Sequence, residues 1–330
     1  NTGAKYDSKA FQKSVGLNGV GTKAVNALSN YFKVTAYREG KEKTAEFERG
    51  VLIQEHKEIK TVEENGTLIT FVPDDKIFKN FHFVQEYLDN QFWNYCYLNA
   101  GLVMNLNNKR YVSKNGLLDL LQRKTNEDEI RYPIIHLKGN DIELAFSHEN
   151  DYGEEYYSFV NGQFTTQGGT HLAAFREGFV KTIREFYKKD YDSSDIRGSI
   201  CAALSVRVQE PVFEKKKKTK LGSQTVYDGG PSMRNFIADF LGKELDNFLH
   251  KNPETAEALK KRIEQNERER KDMAGIKKLA NERAKKANLH NKKLRDCKFH
   301  YNDEATGKDK DKISEKQKES TIFITEGDSA

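Results

Sequence analysis

A glycine-punctuated hexapeptide, Gly16-Leu17-Asn18-Gly19-Val20-Gly21, runs directly into Thr22-Lys23-Ala24-Val25-Asn26-Ala27-Leu28, whose Val25 and Leu28 recur at helical spacing. A loop entering a helix N-terminus can bind anions. Its backbone N–H groups converge, the helix dipole favours negative charge, and glycine lets a phosphate approach. The same residues also read as a tight turn with a helix cap, since no Gly-Lys-Ser/Thr ends the loop and no strand leads straight into it. A second candidate is Glu326-Gly327-Asp328, after the apolar Ile322-Phe323-Ile324. Two carboxylates at the C-terminal end of a buried strand suit a hard cation such as Mg2+, although acidic loop residues are also often simply solvated. Lys215 to Lys218, followed by Thr219 and Lys220, form either a flexible basic loop or a source of cation for a phosphate. Cys297 and His300 would be half of a metal site; with no second pair in the sequence, a structural reading suits them better.

These groups need elements to hold them. Phe32-Lys33-Val34-Thr35-Ala36-Tyr37 and Ala45-Glu46-Phe47 flank a polar turn containing Gly40, which predicts a hairpin, and Thr67 to Val72 predicts a further strand ending at Pro73. The spacing of Val84, Leu88, Phe92, Tyr95 and Leu98 predicts a helix over 83–98, and Leu117 to Leu121 a short one. A first domain closes near residue 126. Strands at Ile142, Leu144, Phe146 and at Tyr156 to Val160 then precede Gly168-Gly169 and an amphipathic helix with Leu172, Phe175, Phe179, Ile183 and Phe186 inward. With the strand Ile200 to Val208 after it, this order is α/β. An apolar stripe from Phe236 to Leu249 breaks at Pro253 and restarts as a helix with sparse apolar residues at Leu259, Ile263, Met273, Ile276 and Leu279, too polar for full burial. Asn302 to Glu319, almost purely charged and polar, reads as an exposed insertion or linker.

Composition narrows the class. At 330 residues, with 36% hydrophobic and 11% aromatic residues, two or so globular domains are expected rather than disorder. No run approaches the ~18 apolar residues of a membrane span, so a soluble, non-membrane chain is expected. The sequence opens on Asn1 with neither a basic leader nor an apolar core, so no secretory signal is visible and the start reads as internal. Cys96, Cys201 and Cys297, far apart and odd in number, fit a reducing, cytoplasmic compartment. The net charge of +5 is unevenly placed: residues 260–296 hold fourteen Lys/Arg against six Asp/Glu. Such a stretch can follow a phosphate backbone, or be a solvated helix face.

Read together and in order, the motifs resemble those of the ATPase (B) subunits of type IIA DNA topoisomerases, across essentially the whole chain. Gly16 to Gly21 with Val25-Asn26-Ala27-Leu28-Ser29 is similar to the family's Gly-Leu-His-Gly-Val-Gly loop and helix, which wraps ATP phosphates in the GHKL fold; Asn18 stands where bacterial members have histidine. Gly3-Ala4-Lys5-Tyr6-Asp7 resembles the lid segment, Phe11 falls where a nucleotide-touching tyrosine is common, and Gly66-Thr67 matches a pair whose threonine lies near adenine. Gln167-Gly168-Gly169-Thr170-His171 and Asp195-Ile196-Arg197-Gly198 resemble transducer-domain signatures. Pro211 to Gly222 aligns with the loop whose Gln-Thr-Lys reaches the ATP γ-phosphate; here Lys216 and Lys217 replace the first two residues and Lys218 keeps the lysine. Glu326-Gly327-Asp328-Ser329-Ala330 resembles the opening of the TOPRIM domain, and Thr321 to Thr325 before it looks more like the topoisomerase IV branch than the gyrase branch.

The resemblance implies a division into the C-terminal part of a GHKL ATPase sandwich (1–125), a transducer domain of ribosomal-protein-like α/β fold with a long basic helix (126–296), and a linker with the first TOPRIM strand (297–330). It implies ATP held by Lys5, Phe11, Gly16, Leu17, Asn18, Gly19, Val20, Gly21, Thr67 and Lys218. Lys218 would act on the γ-phosphate and Glu326 would hold Mg2+ at a DNA-cleavage site. It further implies an A subunit carrying the tyrosine nucleophile, double-stranded DNA, self-dimerisation through the ATPase gate, and a bacterial, chromosome-associated protein. The family's catalytic glutamate, Mg2+-binding asparagine and Asp-Gly-x-Gly adenine site find no match here, so this stretch alone is not expected to turn over ATP. A basic, non-enzymatic DNA- or partner-binding module and another GHKL ATPase are the alternatives; the first would ignore ATP, and the second would lack the TOPRIM opening.

Overall fold

The computed structural model describes residues 13, 19–126, 128–150, 153–214, 217–290, 300–301 and 315–319, with the backbone alone for 284–290. Contacts divide the chain into two compact units, 1–267 and 268–330. In the first unit, helix α1 (Val20–Ala27) leads into β1 (Ser29–Arg38), β2 (Lys41–Glu48), β3 (Val51–Glu55), β4 (Ile59–Lys60) and β5 (Gly66–Pro73). These strands form an antiparallel sheet in the order β3-β2-β1-β5, with β4 paired to β2. The β1–β2 hairpin predicted around Gly40 is present. Glu39 and Gly40 both have positive φ, the primed-turn geometry whose twist matches that of antiparallel strands. Thr35 and Thr44 face each other across it with their hydroxyls 2.9 Å apart and buried. Strand β3 was not anticipated, because Val51-Leu52-Ile53 shows no alternation, and β3 is exposed throughout.

The rest of the unit is built on a second sheet. Helix α2 (Gln85–Leu98), the hairpin β6 (Val103–Leu106) and β7 (Lys109–Val112), and α3 (Leu117–Lys124) precede β8 (Ile135–Gly139), β9 (Ile142–His148), β10 (Glu155–Val160) and β11 (Gln163–Phe164). Helices α4 (Thr170–Tyr187) and α5 (Ser193–Arg197) then lead to β12 (Ile200–Val206). The strand order is β11-β10-β12-β9-β8, and only β10 and β12 run parallel. A parallel pair needs a crossover, and β11, α4 and α5 supply it.

Side-chain alternation sends the two faces of this sheet into two cores. Leu144, Phe146, Ala202, Leu204 and Val206 join Phe175, Phe179 and Ile183 of α4 on one face. Ala145, Cys201 and Ala203 meet Tyr97, Leu117, Leu120 and Leu121 of α2 and α3 on the other. Two-sided burial is why β12 reads as an almost unbroken apolar run. The first core is closed by α6 (Met233–Phe240), a π-helical turn at Leu241–Leu245, α7 (Asp246–Lys251) and the start of α8 (Pro253–His290). The break before Pro253 falls where the sequence predicts it; the π turn leaves no mark in the apolar spacing. Considered by itself, the second unit contains the later part of α8, where Met273, Ile276 and Leu279 are all more than half exposed. The expectation that this helix is too polar for full burial is met there.

Candidate functional site

Of the glycine loop, Gly19, Val20 and Gly21 are described; Lys5, Phe11, Gly16, Leu17, Asn18, Cys297 and Glu326 lie outside the described residues. Gly19 sits just before α1 at φ 59, ψ 23, a left-handed conformation that glycine adopts at little steric cost. Among the described residues, no side chain caps this helix start and no acidic residue occupies its first turn; the N–H groups of such a start suit an anionic acceptor. Beside Gly21 no atom lies within 4 Å of where a Cβ would stand.

The far end of α1 is tied down by its neighbours. The carbonyl of Leu28 accepts from the Asp74 N–H at 3.0 Å and that of Ser29 from the Arg49 N–H at 2.9 Å. Arg49 Nε in turn donates to the buried Asp74 carboxylate at 2.5 Å. That guanidinium, with the Lys76 amide, holds the Asp74 carboxyl below the usual carboxylate range. Thr67 stands at the opposite end of β5, paired with Ala36 and exposed. Gly19 to Gly21 and Thr67 are thus carried by one layer, the first sheet and its helix.

Lys218 is carried by the second sheet, in the connection from β12 to α6. The chain folds back on itself there: the Glu214 N–H donates to the Lys220 carbonyl at 3.1 Å and the Gly222 N–H to the Val212 carbonyl at 2.8 Å. Lys220 Nζ also reaches Glu214 at 2.8 Å. Lys217 is exposed at the tip, and half-buried Lys218 follows it at φ 56. The returning arm rests on Gln167-Gly168-Gly169-Thr170, just before α4. Gln167 N–H donates to Thr219 O at 2.9 Å, Leu221 N–H to Gly168 O at 3.0 Å, and Thr170 N–H to Leu221 O at 3.1 Å. Sequence reasoning marked this glycine pair only as a structural signature. A glycine doublet at a helix entry signals close backbone approach, but nothing local says which backbone approaches.

His171, the next residue, is buried, with Nε2 3.1 Å from the Thr165 hydroxyl; its Nδ1, like the hydroxyl of Thr219, is a buried polar atom without a partner among the described residues. Burial pushes its pKa down to about 4.

The other signature, Asp195 to Gly198, forms a turn that α8 grips. Asn266 Nδ2 donates to the carbonyls of Asp195 and Gly198, both at 2.9 Å, and buried Arg262 donates from Nε to Ser199 Oγ at 2.9 Å. Arg197 pairs with Glu154 at 3.2 Å, as Arg176 does at 2.9 Å. These α8 residues were missed because, within the basic run, a buried arginine looks like any solvated one.

Residues 116–279 match the family model for DNA gyrase B. The whole chain is similar to the B subunit of DNA topoisomerase 4 from Borreliella burgdorferi, at 46% identity over 331 residues and 52% of that protein. It is also similar to the B subunit of DNA gyrase from Helicobacter pylori, at 32% identity over 352 residues, all of this chain and 43% of that protein. The chain therefore spans about half the length of the curated relatives it matches. Among solved structures, the 43K ATPase domain of Thermus thermophilus gyrase B in complex with an aminocoumarin aligns with TM-score 0.65 and 25% identity, over 79% of this chain and 75% of that one. The topoisomerase IV ATP binding domain of Francisella tularensis, at TM-score 0.61 and 24% identity over 77% and 73%, shares the fold. Among the described residues, no helix is long and apolar enough to cross a membrane.

Proposed function

The chain belongs to the family of type IIA DNA topoisomerase B subunits, and from that premise we propose that the intact protein couples ATP binding and hydrolysis to passage of one DNA duplex through another. The observation that carries this reading is the 46% identity to a topoisomerase 4 relative along the whole chain. A glycine-opened helix start at Gly19 and a lysine beside the tip of a folded-back loop support it. In this reading residues 1–125 are the C-terminal part of a GHKL ATPase sandwich, 126–296 a transducer with its long helix, and 297–330 a linker and the opening of a TOPRIM domain.

The residues divide the work as follows. Backbone amides of Leu17 to Gly21 hold the ATP phosphates, Lys5 and Phe11 contact the nucleotide, and Thr67 lies beside adenine. The Lys218 ammonium opposes the charge that spreads over the γ-phosphate in phosphoryl transfer. The described residues fit this assignment, since both the glycine-opened helix start and the lysine loop suit an anionic ligand. Glu326 would hold Mg2+ for DNA cleavage, with the tyrosine nucleophile on a partner A subunit; a dimer gate closes over ATP and double-stranded DNA is the substrate. The higher identity to topoisomerase 4 than to gyrase supports decatenation and relaxation, in a bacterial cytoplasm and at the chromosome.

The test uses the intact protein with its A subunit. Lys218→Ala is expected to lower ATP turnover roughly 100-fold or more, the range for removing one preorganised electrostatic interaction. Glu326→Ala is expected to abolish DNA cleavage while nucleotide binding persists. Full activity in both variants would overturn the assignment.

A further inference from the structure

We infer that the Gly168-Gly169-Thr170 turn positions Lys218, setting where the loop presents its ammonium, and that Gly169 and Thr170 act on phosphoryl transfer through Lys218 alone. This rests on the reading of Lys218 given above. The arm that follows Lys218 is held from two sides at Leu221, which is wholly buried and bridges Gly169 in parallel and Phe213 in antiparallel fashion. Three main-chain hydrogen bonds join the arm to residues 167–170, and a fourth bond comes from a side chain: Thr170 Oγ1 donates to Ser223 O at 2.6 Å. On the other flank, the Val212 N–H donates to Ser223 Oγ at 2.8 Å. Lys218 thus leads into an arm paired on both flanks, and its direction is set by where that arm lies.

Gly169 decides how close the two backbones come. A Cβ built on it would stand 2.4 Å from Leu221 O, 2.5 Å from its N and 2.8 Å from its Cα, and its φ of 136 is one that side-chain-bearing residues rarely adopt. The obstructing atoms are main chain, so no rotamer change can make room. Any side chain here must push the arm outward and carry Lys218 with it. Catalytic groups need placement to within about 0.5 Å, so a displacement of this size at the base of the arm bears on turnover rather than on nucleotide affinity.

The experiment compares Gly169→Ala, Thr170→Val and Thr170→Ser in the intact protein with its A subunit, alone and combined with Lys218→Ala. Thr170→Val keeps the side-chain shape and removes one hydrogen bond, so it tests the inference even where Gly169→Ala does not fold. Expected is a fall in ATP kcat of about threefold to tenfold in Thr170→Val, the scale of one hydrogen bond. The KM for ATP stays within twofold, roughly the precision of such a comparison, and Thr170→Ser restores turnover. Added to Lys218→Ala, Thr170→Val should lower kcat no further, because residues acting through one group are not additive. An unchanged kcat in Thr170→Val, or an equal fall whether or not Lys218 is present, overturns the positioning role while leaving the Lys218 assignment intact. Unchanged turnover in Lys218→Ala itself sinks the assignment and the inference together.

Discussion

His148 shows how a single buried residue ties stability to pH. It ends β9 with its ring wholly inside the protein, Nε2 2.9 Å from the Ile196 carbonyl and Nδ1 2.5 Å from the Tyr132 hydroxyl. A carbonyl can only accept, so Nε2 carries the proton and Nδ1 accepts from the tyrosine; the neutral ring makes both bonds. Burial, with nearby Arg262 adding to it, pushes the pKa down to about 4. An unfolded histidine binds its proton near pH 6.5, so between 6.5 and 4 the unfolded state takes up a proton that the native state refuses. The contribution is therefore complete above pH 6.5 and is lost as pH falls towards 4, by about 3 kcal/mol for this residue. His171, also buried with its pKa pushed down to about 4, adds a loss of the same sign. Urea denaturation at pH 7 and pH 5 should show the native state markedly weaker at pH 5, and His148→Gln should flatten that dependence. A stability independent of pH over this range would show that these rings are hydrated and free to ionise.

At the scale of elements, what was legible in the sequence depended on whether the cause was local. Helix α8 was legible because its proline start and sparse apolar residues are local signals, β9 because Ile142, Leu144 and Phe146 alternate, and β12 because two covered faces leave an almost unbroken apolar run. The seat of Lys218 was not, since Gln167 and Thr219 are joined by a tertiary hydrogen bond and only the fold brings them together. Nor was the grip of Arg262 and Asn266 on the Asp195 turn, because burial of a polar side chain leaves no periodic trace. What α8 does with its charge follows from the proposed function. Under that proposal its described exposed residues Lys277, Lys278 and Arg283 would follow a duplex phosphate backbone without reading bases. Binding of duplex DNA by the protein should fall steeply with salt, and replacing Lys277 and Lys278 with alanine should reduce the log–log slope by up to about 2, roughly 0.9 for each phosphate no longer neutralised. The weakening should be the same for unrelated DNA sequences. An unchanged slope would return this stretch to its plainer reading as a solvated helix face.

Across the first unit, the two sheets are not equally protected. Strand β12 lies between β10 and β9, and its side chains enter a core on each face. Strand β3 is an edge with every residue exposed, and β5 is the opposite edge, with Leu68, Ile69 and Val72 each about half exposed. Opening β3 or β5 uncovers little apolar surface beyond what already meets solvent, whereas opening β12 would breach both cores at once. Local opening free energies range from near zero at such edges up to the global stability, usually ~5–15 kcal/mol. Amides of β9 and β12 should therefore exchange with solvent deuterium at least about 100-fold more slowly than those of β3 and β5 under native conditions. The exchange-protected set should also include the Leu221 amide, because its bond to Gly168 is buried beside the second sheet's core. If instead the two sheets exchange at one common rate, they unfold as a single cooperative body. The sheet bearing Thr67 would then draw on the same cores as the sheet bearing Lys218, and a change at one would be felt energetically at the other.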